Sequence, residues 1–383
     1  MLIDPAMAGR RSGELVTDPS WRVRARALQE EALPSGRVVV SCSAPFGVGG
    51  LGRHLEEIVA ALDRGHVSNV CICESTLASD PAPAYRRISG HTASALLAPL
   101  TRPSPAWRMW KVSTAFDREA ARRLPPGDHL IGFNGTSATQ FRAAGRANYK
   151  SISLVSATAH ARRLVRQHAR AHRQYPVERS WATRVLERNL REYAQAQRIY
   201  VSSRYTWESF VEEGVSADLL SLFPLTPHPR FVPDHSSGKS STFDIVYVGA
   251  LTVDKGVPLL IDAVRRVPYT DLRLVLVGGW KTRAMRRLVE GAIARDSRIA
   301  VSAIDPLACL RSSRLYVHPA YSDGFSYSAA EALACGVPVI VSEDTGMKDL
   351  ISTDRDGLVL PTGDLDALTE AIEGAYRGEI LGG

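Results

Sequence analysis

His318-Pro-Ala-Tyr-Ser-Asp323-Gly324-Phe325-Ser326-Tyr-Ser-Ala-Ala-Glu331-Ala-Leu-Ala-Cys-Gly336-Val-Pro338-Val is the stretch on which the reading of the fold turns. The apolar run Arg314–His318 that leads into it has the composition of a strand. A Gly-containing loop follows, and a helical pattern starts near Ser326 and stops at Gly336. Pro338–Ser342 then begins another apolar run. Strand, loop, helix and strand in that order form the unit of a parallel sheet. The amides of Gly324, Phe325 and Ser326, placed beyond a strand end at a helix start, suit a phosphate. Asp323 reads either as an N-cap or as a ligand-facing carboxylate. Glu331 reads either as a surface helix residue or as a hydroxyl acceptor. It falls among Ala, Leu and Cys, where a carboxylate needs a partner.

The same alternation runs outward in both directions. Strands are expected at Arg37–Ser43, Val67–Cys73, His129–Asn134, Lys150–Ser156, Arg198–Ser202 and Leu220–Phe223, then at Phe243–Val248, Leu272–Val277, Arg298–Val301 and Gly357–Leu360. Helical patterns occupy His54–Asp63, Trp181–Ala196, Pro258–Val267, Ala329–Ala334 and Leu365–Tyr376, with a short one at Trp21–Leu33. Proline, serine and glycine crowd residues 224–242 and break the pattern as a linker does. The expected organisation is an N-terminal extension (1–36), a domain at 37–225, a linker at 226–242 and a domain at 243–383. The fold class is α/β: two Rossmann-like domains with parallel sheets facing across a cleft, ligands lying at the carboxyl ends of the strands.

Composition bounds the function. The 383 residues are 45% hydrophobic and 23% charged, which excludes a wholly disordered chain and a membrane-spanning bundle. The net charge of +7 is uneven: residues 101–200 carry 19 basic and 6 acidic side chains, while residues 241–383 carry 15 and 19. A basic stretch invites a nucleic-acid reading, but no zinc finger, RNA-recognition signature or helix-turn-helix supports it, so no nucleic-acid partner is expected. The five cysteines lack zinc-ligand spacing, and Cys71 and Cys73 alternate along an apolar run as buried hydrophobes do. No disulfide framework, signal peptide or membrane span is read, which gives a cytoplasmic expectation.

Two further motifs bear on chemistry. Ala44-Pro-Phe-Gly47-Val-Gly49-Gly50-Leu-Gly52-Arg-His54 follows the first strand, and its glycines permit close backbone approach to an anion. It is neither a P-loop nor a dinucleotide fingerprint. Tyr247-Val-Gly249-Ala-Leu-Thr-Val-Asp-Lys255-Gly256 runs from strand to helix, with a lysine able to neutralise phosphate oxygens.

Taken together, these residues resemble a family. Asp323-x7-Glu331 followed by Ala-Leu-Ala-Cys-Gly-Val-Pro-Val-Ile is similar to the Glu-x7-Glu signature of retaining GT-B glycosyltransferases, family four (glycosyl transferases group 1). The resemblance covers roughly residues 37–375. Glycines 47–52 match its Gly-Gly-x-Gly loop, Gly249 to Gly256 its strand–loop–Lys-Gly motif, and Val277-Gly278-Gly279 its next strand end. The resemblance implies transfer of a sugar from a nucleotide-sugar with retention, with no cofactor and no protein-bound metal. It implies that Lys255 stabilises the leaving diphosphate, assisted by amides of Gly324, Phe325 and Ser326, and that Glu331 takes the ribose hydroxyls. Asp323 would hold donor-sugar hydroxyls, Gly249 and Gly278 would border the donor, and Gly49, Gly50 and Gly52 would approach donor or acceptor. His160 would face the sugar, its alternative being a helix-capping or surface histidine. The implied partners are a nucleotide-sugar and a glycan or lipid-linked acceptor, and the basic stretch adds peripheral contact with an anionic membrane at its inner face.

The chain departs from the pattern in places. Ala250 stands where an Arg is usual, with Arg283 as the substitute considered. Asp323 replaces Glu, Ser326 replaces a common Gly, and no helix corresponding to the family's last one is read before Gly383. The alternative function is therefore a catalytically impaired relative that binds nucleotide or glycan as a partner subunit.

Overall fold

The computed structural model describes residues 19–74, 85–87, 105–234, 241–351 and 355–381. The chain divides into two compact units. The N-terminal unit holds Arg24–Val165 and Trp181–Leu225, and the C-terminal unit holds Thr226 onward together with, among the described residues, 19–23 and Arg166–Ser180. That last segment departs from a simple division of the chain near residue 225.

In the N-terminal unit, helix α1 (Pro19–Ala32) precedes β1 (Val38–Ser41), α2 (Gly49–Arg64), β2 (Asn69–Cys73), β3 (Tyr85–Arg87) and α3 (Pro105–Arg122). Then come β4 (His129–Phe133), α4 (Ala138–Arg146), β5 (Ser151–Ser156), α5 (Ala161–Gln174, counted with the C-terminal unit from Arg166 onward), α6 (Ala182–Tyr193), β6 (Arg198–Val201), α7 (Arg204–Glu212) and β7 (Leu220–Leu222). The sheet is parallel, in the order β3-β2-β1-β4-β5-β6-β7, with Val38 level with both Asn69 and His129. Val38, Val39 and Val40 are fully buried, as a strand covered on both faces requires. On α2, Leu55, Ile58, Val59 and Leu62 form the buried stripe, at a spacing that follows the helical period. Strand β3 was not expected from the sequence.

The C-terminal unit contains β8 (Phe243–Val248), α8 (Val257–Arg266), β9 (Leu272–Val277), α9 (Arg283–Arg295), β10 (Ile299–Ser302) and α10 (Pro306–Ser312). It continues through β11 (Leu315–His318), α11 (Tyr327–Ala334), β12 (Val339–Ser342), β13 (Gly357–Leu360) and α12 (Leu365–Arg377). Its parallel sheet has the order β10-β9-β8-β11-β12-β13. In both sheets the order reverses beside the first strand, between β1 and β4 and between β8 and β11. At such a switch point the loops after the two strands leave in opposite directions and open a crevice. The linker residues 226–234 run along this unit: Phe231 is buried and Arg230 pairs with Asp305 at 3.0 Å, while residues 235–240 lie outside the described residues.

Candidate functional site

The loop after β8 carries Lys255, and the loop after β11 carries Asp323, so the switch point of the C-terminal sheet brings together residues far apart in sequence. Lys255 Nζ lies 2.7 Å from Asp323 Oδ2. His318, the last residue of β11, places Nε2 2.8 Å from the same oxygen. The side chains of Lys255, Asp323 and His318 are 26%, 18% and 3% exposed. The His318 ring stacks at 6.0 Å from Tyr247 and 6.4 Å from Tyr316, and its Nδ1 is buried without a hydrogen-bond partner. An N–H on Nδ1 would therefore be orphaned, which fixes the proton on Nε2, where it is donated to Asp323.

The electrostatics follow from this arrangement. Burial lowers the pKa of His318 in spite of the neighbouring Asp323, so the ring is neutral. Burial alone would raise the Asp323 carboxyl, but Lys255 and His318 outweigh it and hold it well below the usual carboxylate range. Burial likewise opposes the Lys255 ammonium, and the carboxylates of Asp323 and Asp254 outweigh that in turn. The pair is thus ionised, with one Asp323 oxygen taken twice and the other turned to neither partner. The N-cap reading of Asp323 is corrected by this geometry: the N-cap position of α11 belongs to Ser326, and no side chain caps that helix.

Backbone conformation sets the loops. Gly256 has φ of +72°, and a Cβ there would lie 2.0 Å from the Pro319 carbonyl oxygen, so the Lys255 loop can pass β11 only with glycine. Gly278 has φ of +147°, and a Cβ would meet the Gly249 carbonyl oxygen at 1.9 Å, so the ends of β8 and β9 abut through two glycines. Ala250, between these loops, accepts a hydrogen bond from the Tyr247 hydroxyl at 2.8 Å. Arg283 is exposed at the start of α9. Asp323 is held from the other side by its amide, which donates to the Asp344 carbonyl at 3.1 Å, and by its carbonyl, which accepts from Gly346.

Ser326 adopts φ of +62°, a left-handed conformation unusual for a residue with a Cβ, and its hydroxyl is buried without a partner. The Thr252 hydroxyl in the β8 loop is also buried and unpartnered. Phe325 is buried with its ring edge-on to Tyr327 at 5.3 Å. Glu331 lies inside α11 at 4% exposure, so the surface reading of that carboxylate is corrected. Burial, with Asp323 and Glu331 nearby, pushes the Tyr316 phenol up, and that hydroxyl is held by Ser328 at 2.7 Å. Among the described residues no group of three His, Cys, Asp or Glu side chains could hold a metal ion.

The remaining expected residues lie in the N-terminal unit. Helix α2 begins at Gly49, earlier than the expected start at His54, so Gly49, Gly50 and Gly52 form its first turn rather than a loop before it. Gly52 leaves room for the Pro45 carbonyl oxygen, which a Cβ would meet at 2.0 Å. His160 directly precedes α5; its ring is buried against Tyr193 and Phe210 at 4.9 and 5.0 Å, and Nδ1 accepts from the Arg162 amide at 3.3 Å. His318 and Asp254 were missed from the sequence. Only the place of β11 beside β8 could have marked His318, since a histidine ending an apolar strand has no local signature.

Residues 242–377 match the family described as glycosyl transferases group 1. Over 145 residues the chain is 31% identical to a D-inositol 3-phosphate glycosyltransferase of Pseudarthrobacter chlorophenolicus, covering 35% of this chain and 34% of that protein. Over 154 residues it is 26% identical to the capsular polysaccharide biosynthesis glycosyltransferase CapM of Staphylococcus aureus, covering 37% and 39%. The chain thus spans well under half the length of these curated relatives. Among solved structures, sucrose-phosphate synthase from Thermosynechococcus elongatus is similar with a TM-score of 0.66 at 19% identity, over 89% of this chain and 90% of that one. Anabaena HepE, in complex with UDP and glucose, gives 0.54 at 15%, over 89% and 90%. At such identities the likeness is one of fold. Residues 242–377 thus resemble the group 1 glycosyltransferases in sequence, and the two parallel Rossmann-like sheets have the GT-B fold.

Proposed function

We propose that the chain transfers a sugar from a nucleoside-diphosphate sugar to a glycan or lipid-linked acceptor in polysaccharide or glycoconjugate biosynthesis, with retention and without a protein-bound metal. The observation that carries this reading is the cluster of Lys255, Asp323 and His318 at the switch point of the C-terminal sheet. Lys255 passes from Asp323 to the diphosphate oxygens, where negative charge grows as the glycosidic bond breaks. Asp323, kept ionised and held by His318, accepts hydrogen bonds from donor-sugar hydroxyls. The buried carboxylate of Glu331 takes the ribose hydroxyls. Glycines 249 and 278 let main chain approach the phosphates, and the amides of Gly324, Phe325 and Ser326 complete the anion site. The buried hydroxyls of Thr252 and Ser326 gain a partner when a polar ligand enters. At the other switch point, the first turn of α2 with Gly49, Gly50 and Gly52 offers its amides to an acceptor or phosphate group.

Titration calorimetry of the full chain with UDP, GDP and ADP tests the reading. Binding of one of them, lost in Glu331→Ala, supports it; binding of none overturns it. Ala250 favours a second reading, a relative that binds nucleotide without turnover. Hydrolysis or transfer from any bound donor excludes that reading. Exposed Arg142, Arg146, Arg170, Arg173, Arg179 and Arg184 support a further element of the proposal, work in the cytoplasm at the inner face of an anionic membrane. No helix among the described residues is long and apolar enough to cross a membrane. Sedimentation with anionic liposomes that is absent at low salt refutes the membrane contact.

A further inference from the structure

Residues Arg166–Ser180 belong to the C-terminal unit, although Trp181–Leu225, which follows them, belongs to the N-terminal one. Ala171 is fully buried in the C-terminal core, with Tyr175 and Val177 packed against it. Four polar side chains then reach the loops that carry the proposed site. Glu178 accepts with both oxygens: from the Val253 amide on Oε1 at 3.0 Å and from the Thr282 hydroxyl on Oε2 at 2.6 Å. His168 sets Nε2 4.0 Å from Asp254 Oδ2. Gln167 Nε2 donates to Asp344 Oδ2 at 2.8 Å, and the Asp344 carbonyl in turn accepts the Asp323 amide. Gln174 accepts from the Tyr321 hydroxyl at 2.6 Å and donates to the Gly363 carbonyl at 3.0 Å.

We propose that Arg166–Ser180 is a strap that positions the Lys255 loop for the diphosphate, and that Glu178 is its principal positioning residue. Val253 lies two residues before Lys255, in a stretch where the strand ladder has ended. Its amide is satisfied by a side chain from another part of the sequence. Thr282 is the N-cap of α9, where its hydroxyl accepts from the Met285 amide at 3.1 Å. One carboxylate therefore clips the loop after β8 to the start of α9, and Gln167 steadies the segment behind Asp323. Small displacements of a charged group from its working position are costly, so a clip on the lysine's own loop acts on ligand binding through Lys255. The ligand assignment rests on the proposed function; the clip itself does not.

The test uses two variants of the full chain with opposite chemistry. Glu178→Gln removes the charge but keeps the shape: its oxygen still accepts from Val253, and its amide can donate to the Thr282 hydroxyl. Glu178→Asp keeps the charge but is one methylene too short to reach both partners. Without nucleotide, hydrogen exchange of peptides covering residues 250–256 should be faster in Glu178→Asp and unchanged in Glu178→Gln. Whichever of UDP, GDP or ADP binds the wild type should bind Glu178→Asp about tenfold more weakly, with Glu178→Gln close to wild type. Unchanged exchange in Glu178→Asp overturns the clip. Equal weakening of nucleotide binding by both variants overturns it in favour of a charge effect. If the wild type binds none of the three nucleotides, the donor reading fails and the exchange measurement still decides the clip.

Discussion

Breaking the Lys255–Asp323 pair separates what the pair does for stability from what Lys255 does for a ligand. The perturbations are Lys255→Met, which keeps the stem and removes the charge, Asp323→Asn, and the two together. Exposed ion pairs contribute at most about 1 kcal/mol, while removing one partner of a buried pair costs about 3–5 kcal/mol. With side chains 26% and 18% exposed, this pair lies between those limits. His318 still serves the orphaned Asp323 oxygen at 2.8 Å, which softens the loss. About 2 kcal/mol is the expected cost of Lys255→Met, a fall of about 4–8 °C in midpoint for a unit of this size. The double variant should recover part of it, giving a coupling energy of about 1–2 kcal/mol in urea titrations. Diphosphate binding separates the two residues by sign. Lys255→Met should weaken pyrophosphate or nucleoside-diphosphate binding about 30-fold or more. Asp323→Asn releases the ammonium from its resting partner and should leave that binding equal or tighter, while abolishing turnover. Equal weakening by both variants would refute the idea that Lys255 exchanges Asp323 for phosphate.

Three other outcomes are expected. Ser326→Gly should stabilise the C-terminal unit by about 1 kcal/mol in urea denaturation, because it relieves a left-handed conformation at φ of +62°. Gly256→Ala should cost about 3 kcal/mol or more and lower nucleotide affinity, since its methyl meets a backbone carbonyl at 2.0 Å rather than a yielding side chain. In the N-terminal unit, two buried groups titrate against each other. Burial pushes Glu192 up to about 7 despite amide donors from Ser137 and Gly135, and pushes His54 down to about 3. The raised Glu192 binds its proton in the folded state first, so it adds stability as pH falls from about 7 to the ordinary glutamate range. His54 takes its proton in the unfolded state first, so it removes stability as pH falls below about 6.5. Between about pH 4.5 and 6.5 the two slopes cancel. His54→Phe should then gain up to about 3 kcal/mol on acidification across that window, and Glu192→Gln should lose a similar amount. Matching pH slopes for both variants and wild type would exclude the mechanism.

The strands that could be read from the sequence are those buried on both faces, such as Val38–Ser41 and Leu315–His318, because continuous apolar runs bounded by turns leave little else to form. Strand β3, Tyr85–Arg87, is too short and too polar to announce itself. The early start of α2 was hidden by its glycines, which argue locally for a loop. Gly52 is there for close approach to Pro45, not for flexibility. Within the site, Lys255, Asp323 and Glu331 stand out in their motifs. Their pairing does not, because Lys255 and Asp323 are 68 residues apart and meet only through the strand order. His318 serves Asp323 across a loop that curls back, and Glu178 reaches Val253 over a separation of 75 residues. Neither contact has a spacing that periodicity could reveal.

Because Arg166–Ser180 is built into a unit whose sheet comes later in the chain, that unit cannot be finished in the order in which it is synthesised. The segment leaves the ribosome before β8 to α12 exist, and Glu178, Gln167 and Gln174 must wait for their partners. Trp181–Leu225 meanwhile completes the other unit. A fragment or chimera cut at the linker would carry the matched residues 242–377 yet lack the acceptor for the Val253 amide and the Ala171 contribution to its core. The workable exchangeable module in this protein is therefore discontinuous, and grafts between relatives should transplant residues 166–180 along with residues 226–383.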